Sequence, residues 1–293
     1  MADADSPSPQ TILDALDETF DSFQGVLSEL SPGDWHKPTG CPGWDVQDVV
    51  SHIIGAEVGL AAPPEPPAEA GAGPGVRDET NRSIAADVEA RRRHTPAQLR
   101  EEFAEVTAAS MARRRASNRR ADEITDGPFG WKLPYDRLLS IRTFDVLAHE
   151  QDVRRSVGRP GNLDGRAAAL AEGLILEVLN GTLRRRVAAL EGHRVRIEVT
   201  DRTKLLVLSG TSGHTAPAQG DGSKATSQRT DTTTDDVAAG HGAGDHAETT
   251  IRMPFSELMA LACGRADVAH ELITIDGDKQ LADEVLAQMG FTP

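Results

Sequence analysis

Residues 137–155, Arg-Leu-Leu-Ser-Ile-Arg-Thr-Phe-Asp-Val-Leu-Ala-His-Glu-Gln-Asp-Val-Arg-Arg, constrain the fold more than any other stretch of the chain. At 3.6 residues per turn Asp145 and His149 share one face, with Leu138, Ile141 and Ala148 around them and Asp152 a turn further on. Phe144, Val146, Leu147 and Val153 make the remaining sides apolar, as in a helix surrounded by other helices. A buried, unpaired charge costs several kcal/mol, so this stretch demands either an ion pair or a metal. Spacing alone leaves both open.

The preceding residues supply the neighbours. Ile12, Leu13, Leu16, Phe20, Phe23, Leu27 and Leu30 recur at a helical period over 9–30. A rigid turn, Pro38-Thr-Gly-Cys-Pro-Gly-Trp44, then delivers the chain to Asp45, a helix cap, with Trp44 set to pack back on Val49. The helix over 45–60 turns Val46, Val49, Val50, Ile53 and Ile54 inward and carries His52 at the flank of that stripe. A Pro/Ala/Gly loop over 61–76 follows, then helical composition over 77–120, broken at His94-Thr95-Pro96, where Thr95 caps a long helix. Residues 121–136 read as a loop ending at Asp136, a cap for the central helix. The sum is an antiparallel four-helix bundle over 1–160, closed by Gly158-Arg-Pro-Gly161.

A chain of 293 residues exceeds one ordinary core, and a second domain is expected over 161–293. It begins with an Ala/Leu-rich helix over 163–190. Strands follow at 195–200, 205–208, 248–253 and 272–275, with helices at 254–262, opened by Pro254 at its first position, and 279–289. Residues 209–247, almost without apolar anchors, read as a flexible insertion. The fold class is α+β, the second domain having helices on one antiparallel sheet.

Charge excludes several partners. With 46 acids against 31 bases the net charge is −15, which argues against nucleic acid and anionic membranes. Arg91–Arg93 and Arg113–Arg115 read as solvated helix faces among acids. No run is long and apolar enough to span a bilayer, and the first residues lack a leader pattern, so a cytoplasmic protein is expected. Cys41 and Cys263 are too far apart in sequence to suggest a disulfide framework.

Bundles build metal sites from core-facing residues of different helices. His52 with the Asp145-x3-His149 pair offers two imidazoles and a carboxylate, suited to zinc or a similar divalent ion with one position left open. Asp152 and Glu150 stand as outer neighbours or spare ligands. The plainer alternative is a hydrogen-bonded Asp145–His149 pair with His52 an ordinary flank residue. Cys41, near a helix start, is either a nucleophile or a small packed residue in a tight turn. His214, His241 and His246 fall in the flexible insertion, where an ordered site is not expected.

Trp35 with Pro38-Thr-Gly-Cys-Pro-Gly-Trp-Asp-Val-Gln-Asp-Val-Val-Ser-His-Ile-Ile-Gly-Ala-Glu57, and Arg142-Thr-Phe-Asp-Val-Leu-Ala-His-Glu-Gln-Asp-Val-Arg-Arg-Ser-Val-Gly-Arg-Pro-Gly161, resemble the mycothiol-dependent maleylpyruvate isomerase family. The resemblance implies a DinB-like metal-binding four-helix bundle followed by a smaller α+β domain related in shape to sterol-carrier proteins. It places the family's ligands on His52, Asp145 and His149, although the isomerase carries a glutamate where this chain has the shorter Asp145. It implies a divalent metal, zinc by preference, that activates the thiol of mycothiol, the cosubstrate. The partner is a small-molecule electrophile and the reaction an isomerisation or S-transfer. Arg265, in the second-domain motif Leu261-Ala-Cys-Gly-Arg265, is the candidate catalytic clamp for a carboxylated substrate. The alternative is a catalytically silent metal- or ligand-binding module on the same fold, motivated by Asp145 and by the long insertion.

Overall fold

The computed structural model describes residues 7–60, 74–127, 131–203, 205–209 and 248–292. Helix α1, Pro9–Ser28, starts where the Ser8 hydroxyl accepts the Thr11 amide. Helices α2, Val46–Gly59, and α4, Pro96–Ala116, both open with capping boxes, Asp45 with Asp48 and Thr95 with Gln98. Between them α3, Pro74–Arg91, packs on α2. Helix α5, Tyr135–Val157, packs on both α1 and α2, and these with α4 form the four-helix bundle. Its core holds Leu16, Phe23, Trp35, Ile53, Leu99 and Leu139, each about 1.5–3 kcal/mol of burial. Phe103 meets Phe20 and Phe23 edge-on.

Three local expectations change here. The loop expected over 61–76 ends earlier, since α3 begins at Pro74. The loop expected over 121–136 contains a hairpin, β1 (Ile124–Asp126) with β2 (Lys132–Pro134), too short to show an alternating pattern. Asp136 does not cap α5: Pro134, extended at φ −56° and ψ 145°, occupies that position and starts the helix one residue sooner, with Asp136 in the first turn. At the other end Gly158 takes φ +69°, and its N–H reaches the Arg154 and Arg155 carbonyls.

Helix α6, Arg166–Arg186, follows. Strands β3 (Arg194–Val199), β4 (Leu205–Ser209), β5 (Thr249–Met253) and β6 (Thr274–Asp276) form a sheet in the order β4-β3-β5-β6, with α7 (Phe255–Ala262) and α8 (Lys279–Ala287). The sheet is mixed, correcting the antiparallel expectation, because β5 adds beside β3 in the same direction. Alternation reports which side chains face the core but not the direction of the neighbouring strand. Pro254 precedes α7 as its cap residue instead of opening it, and a 3-10 turn at His270–Leu272 shortens the last strand.

Helix α6 packs on α1 and α5 on one side and on β4 and α7 on the other. Ala15, Phe144, Leu147 and Ala148 of the bundle therefore belong to the same apolar cluster as Leu174, Ile197, Met253 and Phe255. Residues 210–247, which hold His214, His241 and His246 and most of the expected insertion, lie outside the described residues. Among the described residues no helix is long and apolar enough to cross a membrane.

Candidate metal centre

The Pro38–Trp44 turn is closed by hydrogen bonds from the Thr39 amide to the Trp44 carbonyl and from the Val46 amide to the Lys37 carbonyl. It points α2 at the middle of α5, so His52 faces the Asp145–His149 pair. One donor atom from each of His52, Asp145 and His149 lies within 4.8 Å of the others. The two imidazole centroids are 4.8 Å apart, and His149 Nε2 stands 3.6 Å from Asp145 Oδ1. Trp44, expected to staple onto Val49, has its ring 5.2 Å from His52 and 6.1 Å from His149, forming a wall of the site. Both histidines are buried, whereas the Asp145 side chain is 35% exposed and marks the mouth.

The electrostatics suit a cation. Burial, and after it the neighbouring His149, push the His52 pKa down to about 3, leaving a neutral imidazole with a free lone pair. Burial alone would raise the Asp145 carboxyl, but Arg142, then His149, hold it below its ordinary value, so it is ionised. Two imidazoles and one carboxylate are a fitting donor set for zinc or a similar divalent ion, and three protein donors leave a coordination position open.

Asp152 organises the back of the site. Its Oδ2 lies 3.0 Å from His149 Nδ1, and because a carboxylate only accepts, a neutral His149 carries its proton there and turns the Nε2 lone pair toward Asp145 and His52. Arg265 reaches across from the turn after α7 and grips Asp152 with Nε and Nη2, both at 2.8 Å, while its Nη1 donates to the Cys263 carbonyl. Arg265 thus does face the bundle, but its guanidinium is spent on Asp152 instead of standing free as a substrate clamp. Cys41 Sγ donates to Asp152 Oδ2 at 3.0 Å, and burial followed by the Asp152 charge pushes its thiol far up. It is a buried donor, not an activated nucleophile. Cys263, buried, is pushed up to about 12.

Cys41, His149 and Asp152 also bring donor atoms within 4.8 Å of one another. With Asp152 saturated by Arg265 and the thiol held protonated, that set suits a hydrogen-bonded brace better than an ion. Glu150, expected as an outer neighbour, points away: it is fully buried and bound by Ser22, Arg154 and Asn162. Sequence reasoning missed Glu57 and Arg142. Arg142 pairs with Asp145 and donates through Nε to Glu57 at 2.6 Å, and Glu57 also takes Arg114 at 2.6 Å and Ser110. The Arg142–Asp145 spacing was legible on α5, while Glu57 finds its partners only across helices.

Residues 16–154 match the family described as the Mycothiol maleylpyruvate isomerase N-terminal domain. No curated protein matches the chain in sequence. Among solved structures, a mycothiol-dependent maleylpyruvate isomerase is similar at 11% identity and TM-score 0.56, and a mutant of a mycothiol-dependent maleylpyruvate isomerase, its histidine replaced by alanine, at 10% and 0.57. Each alignment covers 92% of this chain and 93% of the other, so the likeness extends through the sheet and α6–α8 as well as the bundle. The bundle of residues 16–154, which carries the metal-type donor set, thus belongs to the mycothiol maleylpyruvate isomerase N-terminal domain family.

Proposed function

We propose that the chain is a divalent-metal-binding, mycothiol-dependent isomerase or S-transferase acting on a small electrophile, with His52, Asp145 and His149 as the metal ligands. The observation that carries this reading is the convergence of those three donors from two helices around one point, with Asp152 bracing His149 from behind. A bound zinc-like ion would lower the pKa of a thiol at the open position. The chain's own part is to hold that geometry. Asp152 keeps the proton on His149 Nδ1, Arg142 fixes the Asp145 carboxylate, and Trp44 shields the imidazoles. Arg265 acts in this reading through Asp152, as a positioning residue tying the expected second domain, 161–293, to the bundle of 1–160.

The test pairs metal analysis with turnover. The purified protein should contain about one equivalent of divalent metal, and His52→Ala should lose it while remaining folded. Electrophile-dependent consumption of mycothiol should then require the metal. Full occupancy in His52→Ala would overturn the site. A second reading, a silent binding module, is favoured by one feature: the Arg142–Asp145 pair satisfies the carboxylate without any ion. Metal and mycothiol bound, with no thiol consumed across a panel of electrophiles, would select it.

A further inference from the structure

Four arginines, Arg113, Arg114, Arg119 and Arg142, line one cavity of about 220 Å3 between the end of α4, the start of α5 and the end of α2. None of the described residues lining it is acidic. The carboxylate behind it, Glu57, is fully buried and shared between Arg114 and Arg142, so one negative charge meets two positive ones there. Arg142 is balanced by Asp145 as well. Arg114 keeps Nε and Nη2, and Arg113 its whole guanidinium, without a hydrogen-bond partner among the described residues. Arg119 is held by Thr125 at 2.7 Å and lies over the Tyr135 ring at 5.6 Å, 3.5 Å from Glu123.

Arginines in a last helical turn complement the helix dipole, which accounts for Arg113–Arg115 as a run. It does not account for Arg119 and Arg142, which come from other segments to the same hollow. Arg115, from the same turn, faces outward and pairs with Asp14 and Asp17. Against the four guanidiniums of the hollow stand the carboxylates of Glu57, Asp145 and Glu123, which leaves an excess of one positive charge, that of Arg113, at the hollow of a chain whose net charge is −15. Leu138 and Leu139 add an apolar wall.

We propose that this cavity binds a small organic carboxylate, gripped by the free donors of Arg113 and Arg114 with its apolar body on Leu138 and Leu139. The cavity adjoins the metal centre through Arg142, which lines it and pairs with Asp145, but the gripping donors belong to Arg113 and Arg114 and do not depend on the metal reading. Guanidinium forks match carboxylates in geometry as well as in charge.

Calorimetric titration of the full chain with benzoate, and with neutral, equally shaped benzamide, tests this. Benzoate should bind at least about tenfold more tightly than benzamide, the scale of a charge-assisted hydrogen bond. The double variant Arg113→Gln/Arg119→Gln, both side chains outside the buried Glu57 network, should lose about tenfold or more in benzoate affinity with an unchanged melting temperature. His52→Ala should bind benzoate as the parent does. Absence of benzoate binding, equal binding of benzamide, or an unaltered affinity in the double variant would overturn the proposal. Loss of binding in His52→Ala would do the same by placing the anion at the metal centre, an outcome readable apart from metal content.

Discussion

At the scale of single residues, Asp152 joins three otherwise separate groups: His149 of the metal-type set, Arg265 from beyond the bundle, and Cys41 of the turn. Burial alone would raise its carboxyl, but the hydrogen bonds and charges of His149 and Arg265 hold it well below its ordinary range. Asp152→Asn keeps the shape but no longer fixes the His149 tautomer. We expect metal affinity to fall about 10- to 100-fold, measured by competition with a chromophoric chelator, with circular dichroism confirming the fold. Glu57 gives a pH prediction. Burial would raise its pKa, yet Arg142 and Arg114 bring it down from 4.5 to about 2. The unfolded chain therefore binds more protons in acid, so this stabilisation is complete above pH about 4.5 and is lost as pH falls toward 2. Glu57→Gln should cost about 3 kcal/mol at neutral pH by leaving Arg114 without a carboxylate and Arg142 with Asp145 alone, and its urea stability should fall less between pH 7 and 3 than that of the parent.

At the scale of elements, most of the helices were legible because their signals are local. Apolar spacing marked α1, α2 and α4, and the capping boxes at Asp45 and Thr95 sit where the residue types placed them. The hairpin β1–β2 was not legible, since two three-residue strands carry no period and rest on pairing across a turn. The start of α5 was misplaced for a similar reason: Asp136 is a good cap by type, but the backbone set by Pro134 decides. Its end was plain in the sequence. Gly158 adopts φ +69°, so Gly158→Ala should destabilise by about 1 kcal/mol or more in thermal unfolding, with helix content otherwise unchanged.

At the scale of the whole molecule, the two halves of the chain are joined by charge as well as by apolar packing. Arg155 at the end of α5 grips the buried Glu257 of α7 and also Asp267, and the Ala266 amide donates to the Gly40 carbonyl. A Cβ on Gly40 would meet Asp267 Oδ1 at 2.5 Å. Because bundle residues such as Phe144 and Leu147 share a core with the sheet, we expect calorimetry to show one cooperative unfolding transition. Arg155→Ala should lower stability by about 3 kcal/mol by leaving Glu257 buried and unpaired, and two resolved melting transitions in the parent would contradict the shared core.

The sequence by itself determined the helical period of the bundle, its breaks, and the placing of Asp145 and His149 on one apolar face, because these follow from short-range stereochemistry. It also put His52 on the neighbouring helix. Which groups satisfy those buried charges was decided only by tertiary structure. Asp152 turned out to be clamped by an arginine 113 residues away, Arg142 to be divided between Asp145 and Glu57, and β3 to run parallel to β5. The reason is physical: a periodic pattern states which side chains must leave water, while the partner that makes their burial tolerable is chosen by whichever element packs against them.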